Sequence, residues 1–516
     1  MSQSSRREFL SDVGRGMFIA GLGSGLAADL GLSSARAAEE EVKRLTFGNL
    51  EPLVGLMQDT PTAKLLPILV NKISEGTTLK DLVSAATFAN ARMFGGEDYI
   101  GFHTLMALAP SYKMSQDMPK DRQALPVLKV LYRNSAQIQA KGGSKQEVLK
   151  PVETKEKAGD SPLLTHVRKK DLAAAERDFA GQMNLSTEAG FNYLLEAVQD
   201  QPEVHRVVLP YRAYAMLDIV GKEHAHTMLR QSVHYLVKNE NPKWATHYEG
   251  LRKALPRLLD QYKLPTGAKG KREGDEAWLD KLSDAIFTSK PEAAAEAAAA
   301  ALAEGFDPSA IADAIALAAN QLVLRDAGRP QNQTSPGKPV GSVHGDSIGV
   351  HACDSANAWR NLARIGNARN QAACTIIGAW QVAHDRGERG GDFLTWKPRP
   401  WAEQLEGIKA KEPKALMAEL EDAIKHNDQA RACAVTGKCA EVGMDARGVF
   451  DLLLKYAVSE EGALHAEKYY QTCTEEFNLA RPKFRWRQVV ALARVTASEF
   501  GTPAAGYAEM CKLLKV

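Results

Sequence analysis

Apolar positions along most of this chain recur every three to four residues. Strict alternation of apolar and polar residues is scarce, and β-branched runs are short. That periodicity predicts amphipathic helices over 79–93, 173–182, 187–198, 222–237, 291–304, 308–324 and 486–499. The Ala-rich stretch 293–303 forms helix readily but carries little apolar bulk, so it is expected on the surface. Gly305 is placed to end it, and Asp307-Pro308 to open the next helix. The fold expected is all-α: a duplicated helical bundle or solenoid-like array with two pseudo-symmetric halves.

Polar Gly/Lys-rich linkers fall at about 140–160 and at 265–276, and Pro/Gly-rich loops at 326–342 and 386–401. The 265–276 linker nearly bisects the chain and prompts a search for duplication. Residues 98–103 read Asp-Tyr-Ile-Gly-Phe-His, and residues 346–351 read Asp-Ser-Ile-Gly-Val-His. Each follows a helix expected to end in Ala-Asn (Ala89-Asn90, Ala319-Asn320), and each is followed 20 residues after its His by Gln-Ala (Gln123-Ala124, Gln371-Ala372). Further on, Phe191-Asn-Tyr-Leu-Leu leads to His205, and Phe450-Asp-Leu-Leu-Leu leads to His465. The order is the same in both halves. The expected organisation is a signal peptide at 1–37, an N-terminal helical half at 38–264, a linker at 265–276 and a C-terminal half at 277–516.

The duplication yields four pseudo-equivalent histidines: His103, His205, His351 and His465. Glycine two residues before His103 and His351 permits close backbone approach or a positive φ at a helix start. The helices that follow are rich in small residues and suited to the centre of a bundle. A helix N-terminus favours the neutral imidazole, the form that binds a metal. Asp98 and Asp346, five residues earlier, could cap these helices or accept the second imidazole N–H and fix the tautomer. The four histidines are thus candidate ligands for Fe, Cu or Zn. Without metal, His103 and His351 with Asp98 and Asp346 would serve as catalytic acid/base groups. The bland reading of each His is a hydrogen-bonded core residue.

Other candidates are weaker. His224, His226 and His234 resemble a metal-binding helix only in part, since no HExxH is present and their spacing splits them between faces. His344 sits in a long loop and could act as a mobile ligand, while His384 and His426 read as surface residues. Arg206, Arg212, Arg230, Arg360 and Arg364 could bind an anion or form inter-helix ion pairs. Glu460-Glu461 and Glu475-Glu476 read as solvated faces. Trp359, Trp380, Tyr211, Tyr214, Tyr469 and Tyr470 line either a cavity or the core. Cys433 and Cys439 could close a small disulfide loop or remain buried thiols.

Composition narrows the function classes. The 516 residues include 65 Lys+Arg against 63 Asp+Glu, a net charge of +2, which argues against a nucleic-acid partner. No apolar run beyond residue 40 is long enough to span a bilayer. There is no Walker A or other nucleotide motif, and no CxxCH for covalent haem. Near the N-terminus Ser-Ser-Arg6-Arg7-Glu-Phe-Leu precedes a weakly apolar stretch and Ala35-Arg36-Ala37, the pattern of a twin-arginine (Tat) export signal. The Tat machinery is then a partner and the periplasm the expected location. Tat cargo is exported folded, often with a cofactor inserted.

The segments around Gly101-Phe102-His103, Val350-His351-Ala-Cys-Asp-Ser-Ala-Asn-Ala and Gly221-Lys-Glu-His-Ala-His226-Thr-Met-Leu-Arg resemble a Tat-exported bacterial helical family, distantly similar to questin-oxidase-like proteins. The resemblance implies a helical fold and an oxidoreductase activity, with oxygen-dependent ring opening of aromatic polyketides in the named members; only the His positions carry over. The function expected is therefore a periplasmic oxidoreductase acting on a small molecule, with a His-lined cavity between the halves. The alternatives are a non-catalytic carrier of metal, haem or an apolar ligand, and a metal-dependent hydrolase or lyase.

Overall fold

Where the periodicity is strongest the helices form as expected. Leu79–Phe94, Leu172–Leu185, Thr187–Val198, Ala225–Asn239, Pro291–Ala303, Pro308–Arg325 and Pro482–Glu499 are all helical in the computed structural model. The structure describes residues 44–152, 162–244, 246–264, 270–388 and 392–516. The expected signal peptide at 1–37 and part of the 265–276 linker lie outside the described residues. Among the described residues there is no β-strand, only isolated bridges such as Arg272 with Phe306, so the fold is all-α. Residues Leu45–Val516 form a single compact unit. No described helix is long and apolar enough to cross a membrane.

Four helices form a closed ring at the centre, each packed against two of the others. They are the His103 helix (Tyr99–Asp117), the His205 helix (Val204–Ala215), the His351 helix (Ile348–Ile365) and the His465 helix (His465–Leu479). The His103 helix touches the His205 and His465 helices, and the His351 helix touches the same two. Their central position explains their composition. Gly101 through Ser111 are all buried in one, and Ala352 through Ala363 in another. A helix buried on every side shows small and apolar residues around its whole circumference instead of one stripe.

The outer helices repeat an arrangement. Leu79–Phe94 and Ala124–Ala140 flank the His103 helix, as Pro308–Arg325 and Ala368–Glu388 flank the His351 helix. The glycine before each histidine serves close approach and not a positive φ. A Cβ on Gly101 would lie 2.5 Å from the Phe94 ring, and one on Gly349 would lie 2.7 Å from the Val323 backbone nitrogen.

Several local expectations need correction. Asn90 and Asn320 do not end their helices, which run on to Phe94 and Arg325. Both side chains are buried hydrogen-bonding hubs, Asn90 reaching the Gly101 carbonyl and Asn320 reaching Gln488. The Ala-rich helix Pro291–Ala303 is not a surface element. Ala294, Ala295, Ala298 and Ala299 are buried, because methyl-sized side chains let this helix lie close against Ala368–Glu388. The Gly305 turn and the Asp307 cap form as expected, with Asp307 accepting from the Ser309 amide. Cys433 and Cys439 are buried free thiols on one helix, Gln429–Glu441. Six residues of helix separate them by roughly 9 Å of rise, beyond the roughly 7 Å that a disulfide tolerates.

Candidate functional site

The four predicted histidines meet at the centre of the ring. His103 Nε2 lies 3.1 Å from His205 Nε2, and His351 Nε2 lies 3.2 Å from His465 Nε2. Across the pairs, ring centroids are 5.2 Å apart for His103 and His465 and 5.8 Å for His205 and His351. Each close pair joins histidines from the same stretch of sequence, and the two pairs face each other. All four sit near helix starts. His465 is the first helical residue, His205 the second, His351 the fourth and His103 the fifth of their helices.

Burial holds His103, His351 and His465 neutral. It drives the His103 pKa down to about 2, reinforced by the nearby Lys468 ammonium and by His205. Burial likewise lowers His351 to about 3, aided by His205 and Lys468. His465 is pushed well below its ordinary value by burial, then by Lys468 and His351. An imidazole that stays neutral offers one N–H and one lone pair, and the N–H partner decides where the lone pair points.

Those partners are specific. His103 Nδ1 donates to the Tyr99 carbonyl at 2.7 Å, and His465 Nδ1 donates to the Ala463 carbonyl at 3.0 Å. His205 Nδ1 lies 2.5 Å from Glu203 Oε1. Burial alone would raise the Glu203 pKa, but the charge and hydrogen bond of His205, with the Tyr235 hydroxyl, hold it at about 2, so Glu203 is an acceptor. Both Nδ1 atoms of the His103/His205 pair therefore carry hydrogen. The Nε2 of neutral His103 presents a lone pair at 3.1 Å to the Nε2 of His205. Two facing lone pairs repel unless an electrophile, a metal ion or a second proton on His205, sits between them. The spacing also matches the roughly 3.3 Å edge of a tetrahedron with metal–nitrogen bonds of about 2.0–2.1 Å. No three of the four histidines bring ring nitrogens within 4.8 Å of one another, so the centre is two pairs and not one four-nitrogen cage.

The two aspartates do not orient the imidazoles. Asp98 is the helix cap, accepting from the Gly101 amide at 2.8 Å, and it also accepts from Gln137. Asp346 neither caps nor contacts His351. Ser347 caps that helix, and Asp346 pairs with Arg329 at 2.8 Å and Lys338 at 2.7 Å. Backbone carbonyls and Glu203 take the orienting role instead. Glu203 caps the His205 helix, and the signal for it was the Glu-x-His spacing at the end of Gln201-Pro202. Lys468, one turn after His465, was also missed. It is buried, and desolvation lowers its pKa to about 8 despite Asp354 nearby. An amine with that pKa can donate a proton near neutral pH.

A depression of about 240 Å³ reaches the centre from outside, lined by Arg329, Gln333, Asp346, Ser347, Ile348, His351 and Glu388. A larger one of about 710 Å³, with Asp313, Arg360, Arg364 and Arg481 in its wall, touches none of the four histidines.

The remaining candidates are structural in their contacts. Arg206 pairs with Glu240, Arg230 with Glu176, and Arg360 with both Asp313 and Glu476. Arg212 stacks over Tyr211. Glu475 and Glu476 are inter-helix partners, Glu476 buried and Glu475 partly exposed, and Glu460 accepts from the Gly501 and Thr502 amides. His224 packs on Phe88, His226 lies near Phe179, and His234 bridges Glu97 and Glu176, so these three form no cluster. His344 is buried, which lowers its pKa to about 4. Trp359, Trp380, Tyr211, Tyr469 and Tyr470 are core residues, while Tyr214 is partly buried against Phe191. His426 is exposed as expected, and His384 is mostly buried against Trp380. No protein-family model, curated protein or solved structure matches this chain.

Proposed function

We propose that the protein is a metal-dependent oxidoreductase whose centre is built from His103, His205, His351 and His465. The observation that carries this reading is the His103/His205 pair, whose Nδ1 atoms are both committed to acceptors while their Nε2 atoms face each other at 3.1 Å. Imidazole donors without a ligating carboxylate suit Cu, Fe or Zn, and a pair of two-histidine sites suits two ions. Neutral nitrogen donors serve Cu or Fe redox work and Zn-activated water alike, and the redox reading is the one in keeping with the resemblance to questin-oxidase-like proteins. The depression at His351 is the route for a small substrate. The pairing of histidines within each stretch supports descent of the two halves from one ancestral unit. The Arg6-Arg7 segment supports Tat export with the metal already bound.

Within this reading the chain's own residues have separate tasks. The Tyr99 and Ala463 carbonyls and Glu203 hold three rings with Nε2 toward the interior. Lys468 supplies a proton near pH 8. Elemental analysis of protein purified after native export tests the proposal. Stoichiometric Fe or Cu with oxygen uptake on a panel of phenols supports it. Zn alone with hydrolytic turnover favours the hydrolase reading. Metal without turnover favours a carrier.

A second reading rests on a specific contact. If the shared electrophile is a proton, His205 between Glu203 and His103 becomes a general acid, and Lys468 a second one. Metal-free protein that retains full activity would select it.

A further inference from the structure

Glu388 lines the same depression as His351, and it belongs to a second group of ligating side chains. His384 and Glu388 lie four residues apart on the Ala368–Glu388 helix and so share one face. His247, in the turn before the Glu249–Gln261 helix, meets them from across the interface. His247 Nε2 is 3.2 Å from Glu388 Oε2, and His384 Nε2 is 3.7 Å from Glu388 Oε1. One ligand atom from each of the three falls within 4.8 Å of the others.

We infer that His247, His384 and Glu388 form a second divalent transition-metal site of the two-histidine, one-carboxylate type. That donor set, held at a partly open position, leaves coordination places for water or an oxygen ligand. Three features of the surroundings favour it over a plain ion pair. His384 Nδ1 lies 3.6 Å from Asp385 Oδ1, so a carboxylate stands beside the ring, without hydrogen-bonding it, and its charge favours a bound cation. The His384 ring stacks on Trp380 at 4.5 Å and 20°, and Tyr248 packs against both rings, 5.7 Å from His384 and 6.0 Å from Trp380, so the direction of the imidazole is set before any ion arrives. The two imidazoles stand nearly perpendicular, 86° apart with centroids at 4.7 Å, which lets both nitrogens converge without the rings clashing. His384 is only 12% exposed, whereas His247 and Glu388 are 32% and 41% exposed, so the ion would enter from solvent and rest against a fixed inner ligand. It would stand at the rim of the depression that reaches His351. The inference uses none of the four central histidines and holds whether or not they bind metal.

Titration of metal-stripped full-length protein with Co²⁺, followed by visible absorption and calorimetry, tests it. The expected result is one Co²⁺ equivalent that is lost, or weakened at least about 100-fold, in both His247→Ala and His384→Ala. The double variant His103→Ala/His465→Ala should keep that equivalent, which separates this site from the central one. His247→Gln serves as a control for folding, since His247 sits in a half-exposed turn; circular dichroism should match the parent while the Co²⁺ equivalent is still lost. Unchanged Co²⁺ stoichiometry, affinity and spectrum in His247→Ala and His384→Ala would leave only an ion pair and overturn the site.

Discussion

His103 and His234 are buried alike, at 3% and 4% exposure, yet their titrations move in opposite directions. His103 faces another imidazole and a lysine ammonium, and its pKa falls to about 2. Burial also opposes the charge on His234, but hydrogen bonds to Glu176 at 2.7 Å and Glu97 at 2.9 Å outweigh it and raise the pKa. Burial alone therefore says nothing about the role of a core histidine. One surrounded by carboxylates is an ion-pair strut. One surrounded by other imidazoles is a set of free electron pairs waiting for an electrophile.

The sharpest way to break this contrast is to remove the proposed ligands from the centre. His103→Ala combined with His351→Ala should weaken metal retention by more than about 100-fold and abolish turnover, read by elemental analysis after dialysis. Retained metal at the centre would equate the two kinds of histidine. Glu203→Gln should have a smaller effect of the same kind, about 10–100-fold in metal affinity, since it removes the charge that orients His205 and leaves an acceptor in place.

On the other side of the comparison, His234→Ala should cost stability and leave metal content untouched. A charged hydrogen-bonded pair of this kind contributes about 1.5–3 kcal/mol, measurable by urea unfolding. Its pH dependence has a definite sign. The folded pKa of His234 lies above the ordinary value of 6.5, so the folded state holds the proton more tightly. The contribution is complete below about 6.5 and is lost as pH rises through the raised value. The gap between parent and His234→Ala should accordingly narrow in alkaline buffer. A gap that widens with pH would refute the ion-pair strut.

The smallest effect concerns the scaffold that brings the rings together. Gly349→Ala should destabilise by about 1–3 kcal/mol, because the added methyl meets the Val323 backbone, which cannot move aside. Gly101→Ala should cost a similar amount, since its methyl meets Cδ2 and Cγ of the buried Phe94 at 2.5 Å, atoms tied closely to the backbone. Thermal unfolding of the two variants checks both.

Much of this was legible in one dimension. Helix periodicity identified the elements; the repeated Ile-Gly-x-His segments named His103 and His351, and the repeated Phe-x-x-Leu-Leu segments led to His205 and His465, before any contact was known. The spacing could not say which acceptor each Nδ1 would find. Asp98 was expected either to cap its helix or to accept from His103; it caps, while the imidazole turns back one helical turn to the Tyr99 carbonyl. His247 carried no sequence signal at all, and His384 looked like a surface residue; the pairing of a turn with a distant helix has no periodicity to betray it. The buried alanines of 291–303 were misread for a related reason, since small side chains mark either a bare surface or a tight helix contact, and only a neighbour distinguishes the two.

What the amino-acid order determined by itself was local and repeated: helices, caps, close-packing glycines and the positions of the histidines. These follow from backbone geometry and side-chain size, which act over a few residues. What only the tertiary structure decided was the electrostatics: which lone pairs face each other, which rings stay neutral, and which carboxylate holds an imidazole. Those depend on charges and dielectric within a few ångströms, and residues that close in space stand a hundred or more apart in the chain.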